Sequence, residues 1–164
     1  MILRDEGAGD VDAIRALTAR AFAGMPYSDG SEPAIVDRLR AAGALTLSLV
    51  AEEAGLVVGH VAFSPVTVTD GSTGWYGLGP ISVAPERQGQ GIGSALVREG
   101  FARLKALGAA GCVLVGDPGY YGRFGLSTGP ALTYDGAPPE YFMHVAFSQV
   151  YATGGVSYHP AFYG

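Results

Sequence analysis

Residues Arg87 to Leu96 read RQGQGIGSAL, with glycines at 89, 91 and 93 running straight into a stretch of helical period. A glycine inside a helix costs about 0.5–1 kcal/mol relative to alanine, so three in close succession must answer a need for bare backbone. Successive amides with no side chains over them, beside the positive end of a helix dipole, are suited to hold phosphate. A tight turn that only requires glycine's freedom accounts for the same spacing.

Two known phosphate loops do not fit. The P-loop carries lysine and then serine or threonine after its last glycine, whereas Gly93 is followed by Ser94 and Ala95, which gives magnesium-assisted nucleotide binding little support. The dinucleotide fingerprint places its turn in the first strand-helix unit with an acidic residue about 20 positions on. Gly111 and Cys112 stand there instead.

The elements that must position this loop are legible on both sides of it. WYGLGPISV predicts a strand, but Gly77, Gly79 and Pro80 would damage an ordinary central strand, so a bulge or local splay is expected just before the loop. From Ser94, Val97, Phe101, Leu104 and Leu107 share one helical face, Glu99 and Arg103 pair on the surface, and Gly108 stops the helix. GCVLVG then gives a short buried strand, completing a parallel βαβ unit.

Upstream, MIL predicts a short strand and GDVDAIRALTARAF an amphipathic helix capped by Asp10. A second helix is expected from Ser31 or Pro33 to Gly43. LTLSLVAEE and LVVGHVAFSPVTV, parted by Ala54 and Gly55, predict an antiparallel hairpin, and Asp70–Gly71 a further turn. Downstream, Tyr141, Met143, Val145 and Phe147 alternate as in a strand.

Composition bounds the whole. With 164 residues, 48% hydrophobic, 15% charged and a formal charge of −5, one domain spanning 1–164 with a real core is expected. Ten Lys and Arg against fifteen Asp and Glu, with no basic cluster, argue against a nucleic-acid partner and favour a cationic substrate weakly. The early charges of MILRDEG and the lack of a run of roughly 20 apolar residues suggest neither secretory signal nor membrane span, hence a cytoplasmic protein. Cys112 lies in an apolar run, which suits packing in a reduced compartment. The aromatic-rich tail, residues 151–164, is expected to be ordered against the domain or a second subunit, so a homodimer stays open.

QGQGIG matches the Q/R-x-x-G-x-G/A signature of the GNAT N-acetyltransferase superfamily, and ISVAPERQGQGIGSALV resembles its strand, turn and helix nearly residue for residue. About 27 residues on, YYGRFGL resembles the family's F-Y-x-x-x-G-F segment. GDPGYYGRFGL and YHPAF resemble a bacterial branch of uncharacterised GNAT proteins, so the likeness covers almost the whole chain.

That resemblance implies an α+β fold: a mixed, mostly antiparallel sheet flanked by helices, with the fourth and fifth strands splayed into a V that admits acetyl-CoA, and no metal. Pantetheine would lie along main-chain groups of Ile81, Ser82 and Val83, and the pyrophosphate on the amides of Gly89, Gln90, Gly91, Gly93 and Ser94, with Gln88 in the signature's first position. Tyr121 would be the acid that serves the departing CoA sulfur, since a phenol with pKa near 10 stays protonated at neutral pH. Tyr120 is expected in the core.

The base is left unassigned. Many relatives supply a glutamate from the fourth strand, and WYGLGPISV has none. Asp117, Glu52, Glu53 and His60 are candidates, though a histidine within a strand, His60 or His144, is more commonly structural. Arg123 could reach phosphate or solvate the surface. Met25, Tyr27, Tyr141 and Phe142 could rim an acceptor pocket, with Asp29, Glu32 and Glu140 attracting an ammonium. The implied function is transfer of acetyl from acetyl-CoA to a primary amine of a small molecule. A protein or peptide amine is the second choice of acceptor, and a non-catalytic acyl-CoA sensor the rival of another class.

Overall fold

The computed structural model describes residues 1–149 and 151–164. A six-stranded sheet runs in the order β1 (Ile2–Asp5), β2 (Leu47–Glu53), β3 (Leu56–Pro65), β5 (Trp75–Val83), β6 (Gly111–Val115), β8 (Phe142–Ala146). A three-stranded sheet, β4 (Thr67–Val68), β9 (Gly154–Ser157) and β7 (Leu132–Thr133), lies beside it. The α-helices among the described residues are α1 (Val11–Phe22), α2 (Glu32–Ala41), α3 (Ile92–Ala106) and the single turn α4 (Pro118–Tyr121), with short 3-10 turns between elements.

The β2–β3 hairpin forms as the sequence predicts, except that its second run ends at Pro65 and Thr67–Val68 join the other sheet as β4. Ala54 and Gly55 both take positive φ, +50° and +79°, the conformation whose twist matches a two-residue antiparallel turn. Along β2 the two faces separate: Leu49 and Ala51 join Leu96, Val97 and Leu104 of α3, while Val50 packs with Ile14 of α1 and Val36 of α2. Helices cover both faces, so β3 is buried on both from Val58 to Ser64 and loses simple alternation. At Gly100 α3 lies close against the sheet. A Cβ there would fall 2.4 Å from the Phe63 ring.

Helix α1 starts one residue after Asp10, but the Asp10 carboxylate does not cap it. It accepts instead from the Gly7 amide and pairs with Arg4 at 2.7 Å. Helix α2 begins at Glu32, inside the predicted bracket.

The feature that positions the site is the junction of β5 with its neighbours. β5 runs antiparallel to β3 and parallel to β6, with α3 as the crossover. Only Trp75, Tyr76 and Gly77 pair with β6; from Leu78 to Val83 the two strands diverge. Between the pairs Val61↔Ile81 and Phe63↔Leu78, two steps on β3 answer three on β5, so the extra residue falls at Gly79–Pro80, whose peptide bond is cis. The expected irregularity and the expected splay coincide.

The three-stranded sheet was not foreseen. Strands of two to four residues show no period of their own, and these are held by Trp75, Val113, Phe142, Val156 and Tyr158 packing from distant parts of the chain. At the C-terminus Arg38 Nε donates to the Ala161 carbonyl at 2.8 Å, and Ala161 packs on Ile35 and Leu39. No helix among the described residues is long and apolar enough to cross a membrane.

Candidate active site

Helix α3 opens at Ile92 with Gly91 as its N-cap at φ +84°, and Gly89 sits at φ +78°. Both angles are strained for any residue with a Cβ, so these two glycines shape the turn. The first helical bond runs from the Ala95 amide to the Gly91 carbonyl at 3.0 Å, which leaves the Ile92, Gly93 and Ser94 amides without a helical acceptor at the positive end of the dipole. A pocket of about 280 Å³ is lined by Gly89, Gly91, Ile92, Gly93 and Ser94, with Gln88, Tyr120 and Arg123 around them. Gln90 is exposed and is not among its lining residues. Ile92 was missed because its apolar side chain, 3% exposed, belongs to the core, while its amide belongs to the turn.

Tyr120 is not a core residue. It stands half-buried at the pocket wall, its hydroxyl 2.9 Å from Ser94 Oγ. The Arg123 guanidinium lies 4.4 Å above its ring and Arg123 Nε donates to its carbonyl at 2.8 Å, which fixes a cation in the wall of the phosphate-sized pocket.

A second cavity, about 240 Å³, shares Val83, Gln88, Gly93 and Tyr120 with the first and continues along the split. Ile81 and Tyr121 line it from the sheet side, Phe22, Met25 and Tyr27 from α1 and the loop after it. Ser82 is 2% exposed and points to the opposite face from its neighbours, so what it offers the split is backbone. Gln88 Nε2 reaches the Val83 carbonyl at 3.4 Å.

Tyr121 ends α4, whose N-cap Asp117 accepts from the Gly119 amide at 3.0 Å. Its ring meets Tyr120 edge-on, 4.9 Å between centroids. Burial, reinforced by the neighbouring Tyr120 and Tyr27 phenols, pushes its pKa up to about 12, so the hydroxyl keeps its proton at neutral pH.

The candidate bases are engaged elsewhere. Glu52 pairs with Arg4 at 2.9 Å, Glu53 pairs with Arg87, and Asp117 caps α4. His60 is fully buried with Nε2 2.8 Å from Ser48 Oγ, which in turn meets Glu6, itself paired with Arg40 at 2.9 Å. Burial drops the His60 pKa to about 4, so it is a neutral packing residue. His144 forms an isolated backbone bridge to Ser127. Among the described residues no carboxylate lines the cavity beside Tyr121. Of the acceptor candidates, Met25 and Tyr27 do line it. Asp29 accepts from the Ser31 amide and Glu32 from Ser28, while Glu140 and Phe142 face a separate cavity.

Residues 11–123 match the family model described as Acetyltransferase (GNAT) family. The chain belongs to the GNAT acetyltransferase family. Among curated GNAT relatives, the uncharacterized N-acetyltransferase YhbS of Escherichia coli is 41% identical over 126 residues, 76% of this chain and 72% of that protein. Among solved structures, a GNAT family acetyltransferase from Brucella melitensis, in complex with acetyl-CoA, superposes with a TM-score of 0.88 at 52% identity, covering 98% of this chain and 97% of that one. YhbS from Escherichia coli in complex with CoA gives 0.90 at 35% identity, over 99% and 92%. The GNAT fold with its mixed sheet flanked by helices is therefore the fold of this chain, and N-acetyl transfer is its enzyme class.

Proposed function

We propose that this protein transfers the acetyl group of acetyl-CoA directly to a primary amine of a small molecule. The observation that carries the reading is the continuity of two spaces. The pocket at the α3 N-terminus and the cavity beside Tyr121 share four wall residues along the split between β5 and β6.

The residues fit the cosubstrate. The free amides of Ile92, Gly93 and Ser94, the open turn at Gly89, Gln90 and Gly91, and the Arg123 guanidinium suit a pyrophosphate, and Gln88 braces the turn against β5. The β5 edge at Ile81, Ser82 and Val83, unpaired toward β6, suits an extended amide-bearing arm added as a strand. When bound, acetyl-CoA supplies an activated acetyl thioester.

Tyr121 then acts at one atom. Its Oη holds a proton up to about pH 12 and donates a hydrogen bond toward the departing sulfur. A thiol has a pKa near 8.5, so the phenol does not surrender its proton to the sulfur outright. An ammonium first releases one proton to solvent; the proton that the neutral amine then loses on attack balances the one the sulfur gains, and the hydroxyl, able to accept and donate, passes it between them. A site with no carboxylate beside Tyr121 agrees with this economy of bases.

The small acceptor is favoured over a protein amine by the cavity's size, about 240 Å³ with Phe22, Met25 and Tyr27 across it. Release of free thiol from acetyl-CoA, measured against polyamines, aminoglycosides, amino acids and lysine peptides with Tyr121→Phe in parallel, tests the reading. Turnover confined to lysine peptides transfers the assignment to a protein acceptor. Binding of acetyl-CoA with no turnover on any amine favours a sensor.

A further inference from the structure

A cavity of about 700 Å³ lies outside the cleft and shares no lining residue with it. Its size is that of a small-molecule site. The half-buried ring of Tyr134 gives it an aromatic wall, backed by the buried Phe142 ring 5.5 Å away and tilted by 40°. Asp135 and Glu140 stand at its exposed rim, and no lysine or arginine lines it.

These two carboxylates differ from all the others. The chain has fifteen Asp and Glu. Among the described residues nine stand in ion pairs and four more accept hydrogen bonds. The two that do neither, Asp135 and Glu140, face the same cavity. Behind its wall His144 Nε2 is buried without a hydrogen-bond partner among the described residues, 3.8 Å from where a Cβ would stand on Gly129, a lining residue.

We propose that this cavity, between the Tyr134 and Phe142 rings and the free Asp135 and Glu140 carboxylates, is a recognition site for an organic ammonium ion. Aromatic faces attract a cation carrying apolar groups, and unpaired carboxylates of one sign supply the counter-charge. A hard metal ion is the poorer occupant. Calcium takes six to eight oxygen ligands, and no group of three metal-ligating side chains occurs among the described residues.

The cavity is mechanically close to the transfer site. Tyr141, between Glu140 and Phe142, accepts the Gly116 amide at 2.9 Å, and Gly116 lies against the Tyr121 ring. The ammonium is therefore either the end of the amine acceptor remote from the nitrogen that is acetylated or a separate ligand; only the first source rests on the proposed function.

Calorimetric titration of benzyltrimethylammonium, which cannot be acetylated, and of spermidine into the wild type and Asp135→Asn/Glu140→Gln tests the site. Both exchanged residues are exposed, and acetyl-CoA affinity, expected to be equal in the two proteins, controls for the fold. The cations are expected to bind the wild type and to weaken about tenfold in the double variant. Neutral benzyl alcohol is expected to show no such difference. Equal affinity in both proteins, or no binding of either cation to the wild type, overturns the proposal. If benzyltrimethylammonium competes with the amine during transfer, the site holds the acceptor's remote end. If it binds and leaves the KM for amine unchanged, the ligand is separate.

Discussion

The ring of Tyr121 rests on Gly116: a Cβ built on that glycine would fall 2.5 Å from Tyr121 Cε2. A side chain at position 116 therefore cannot coexist with the present place of the phenol. Gly116→Ala is expected to lower kcat on the order of tenfold to a hundredfold by displacing the hydroxyl. The acetyl-CoA dissociation constant should hardly move, since the loop at the α3 N-terminus is untouched. Steady-state kinetics beside equilibrium binding reads both numbers, and a kcat equal to wild type would remove Tyr121 Oη from the reaction.

Gly91 and Gly108 bracket α3 at nearly the same backbone angle, φ +84° and +81°, with open space where a Cβ would go. Valine at either costs about 1–2 kcal/mol or more of conformational strain. Similar losses of thermal stability are expected from Gly91→Val and Gly108→Val, but only the first should weaken acetyl-CoA binding. A matched pair of this kind separates strain from recognition, and equal affinities would argue that the Gly91 turn does not touch the ligand.

His60 gives stability a dependence on pH. Its folded pKa, about 4, lies below the ordinary value of 6.5, so between these values the unfolded chain binds a proton that the folded chain refuses. Stability is whole above pH 6.5 and is lost as pH falls toward 4, by about 3 kcal/mol if the depression is fully expressed. Urea titrations from pH 7 to 5 should show this slope in the wild type and not in His60→Gln. Persistence of the slope in the variant would assign it to another group.

Arg123 is held over Tyr120 within the wall of the pocket lined by the Gly89–Ser94 turn. Arg123→Ala is expected to raise the acetyl-CoA KM several-fold at low salt, with the gap to wild type narrowing as ionic strength rises and screening shortens the reach of the charge. Arg123→Lys should recover only part, because a lysine keeps the charge but not the planar stack. A gap that does not change with salt would point to lost packing instead.

The central βαβ unit and its glycine turn were legible because each signal is local: a strand damaged at Gly79–Pro80, glycines where φ is positive, then a face of period 3.6. What escaped depends on distant partners. Strands β4, β7 and β9 exist because Trp75, Phe142 and Tyr158 converge from far apart, and Tyr120 leaves the core because Ser94, 26 residues earlier, offers it a hydroxyl. The sequence named Glu140 as a residue able to attract an ammonium. It could not show that Asp135 shares its cavity, or that neither has a partner among the described residues while the other carboxylates are engaged.

The divergence of β5 from β6 also answers a problem of solubility. A strand with one row of amides and carbonyls unpaired is ordinarily a template for other chains, and proteins protect such edges with charge, proline or cover. Here the open row of Leu78–Val83 faces inward, tied to β6 at Trp75, Tyr76 and Gly77 and flanked by α1, α3 and α4. A slender ligand can lie along it, whereas a strand of another molecule, with its own sheet behind it, cannot reach in. The molecule thus keeps a sticky backbone edge available to a small guest without offering it as a seed for aggregation.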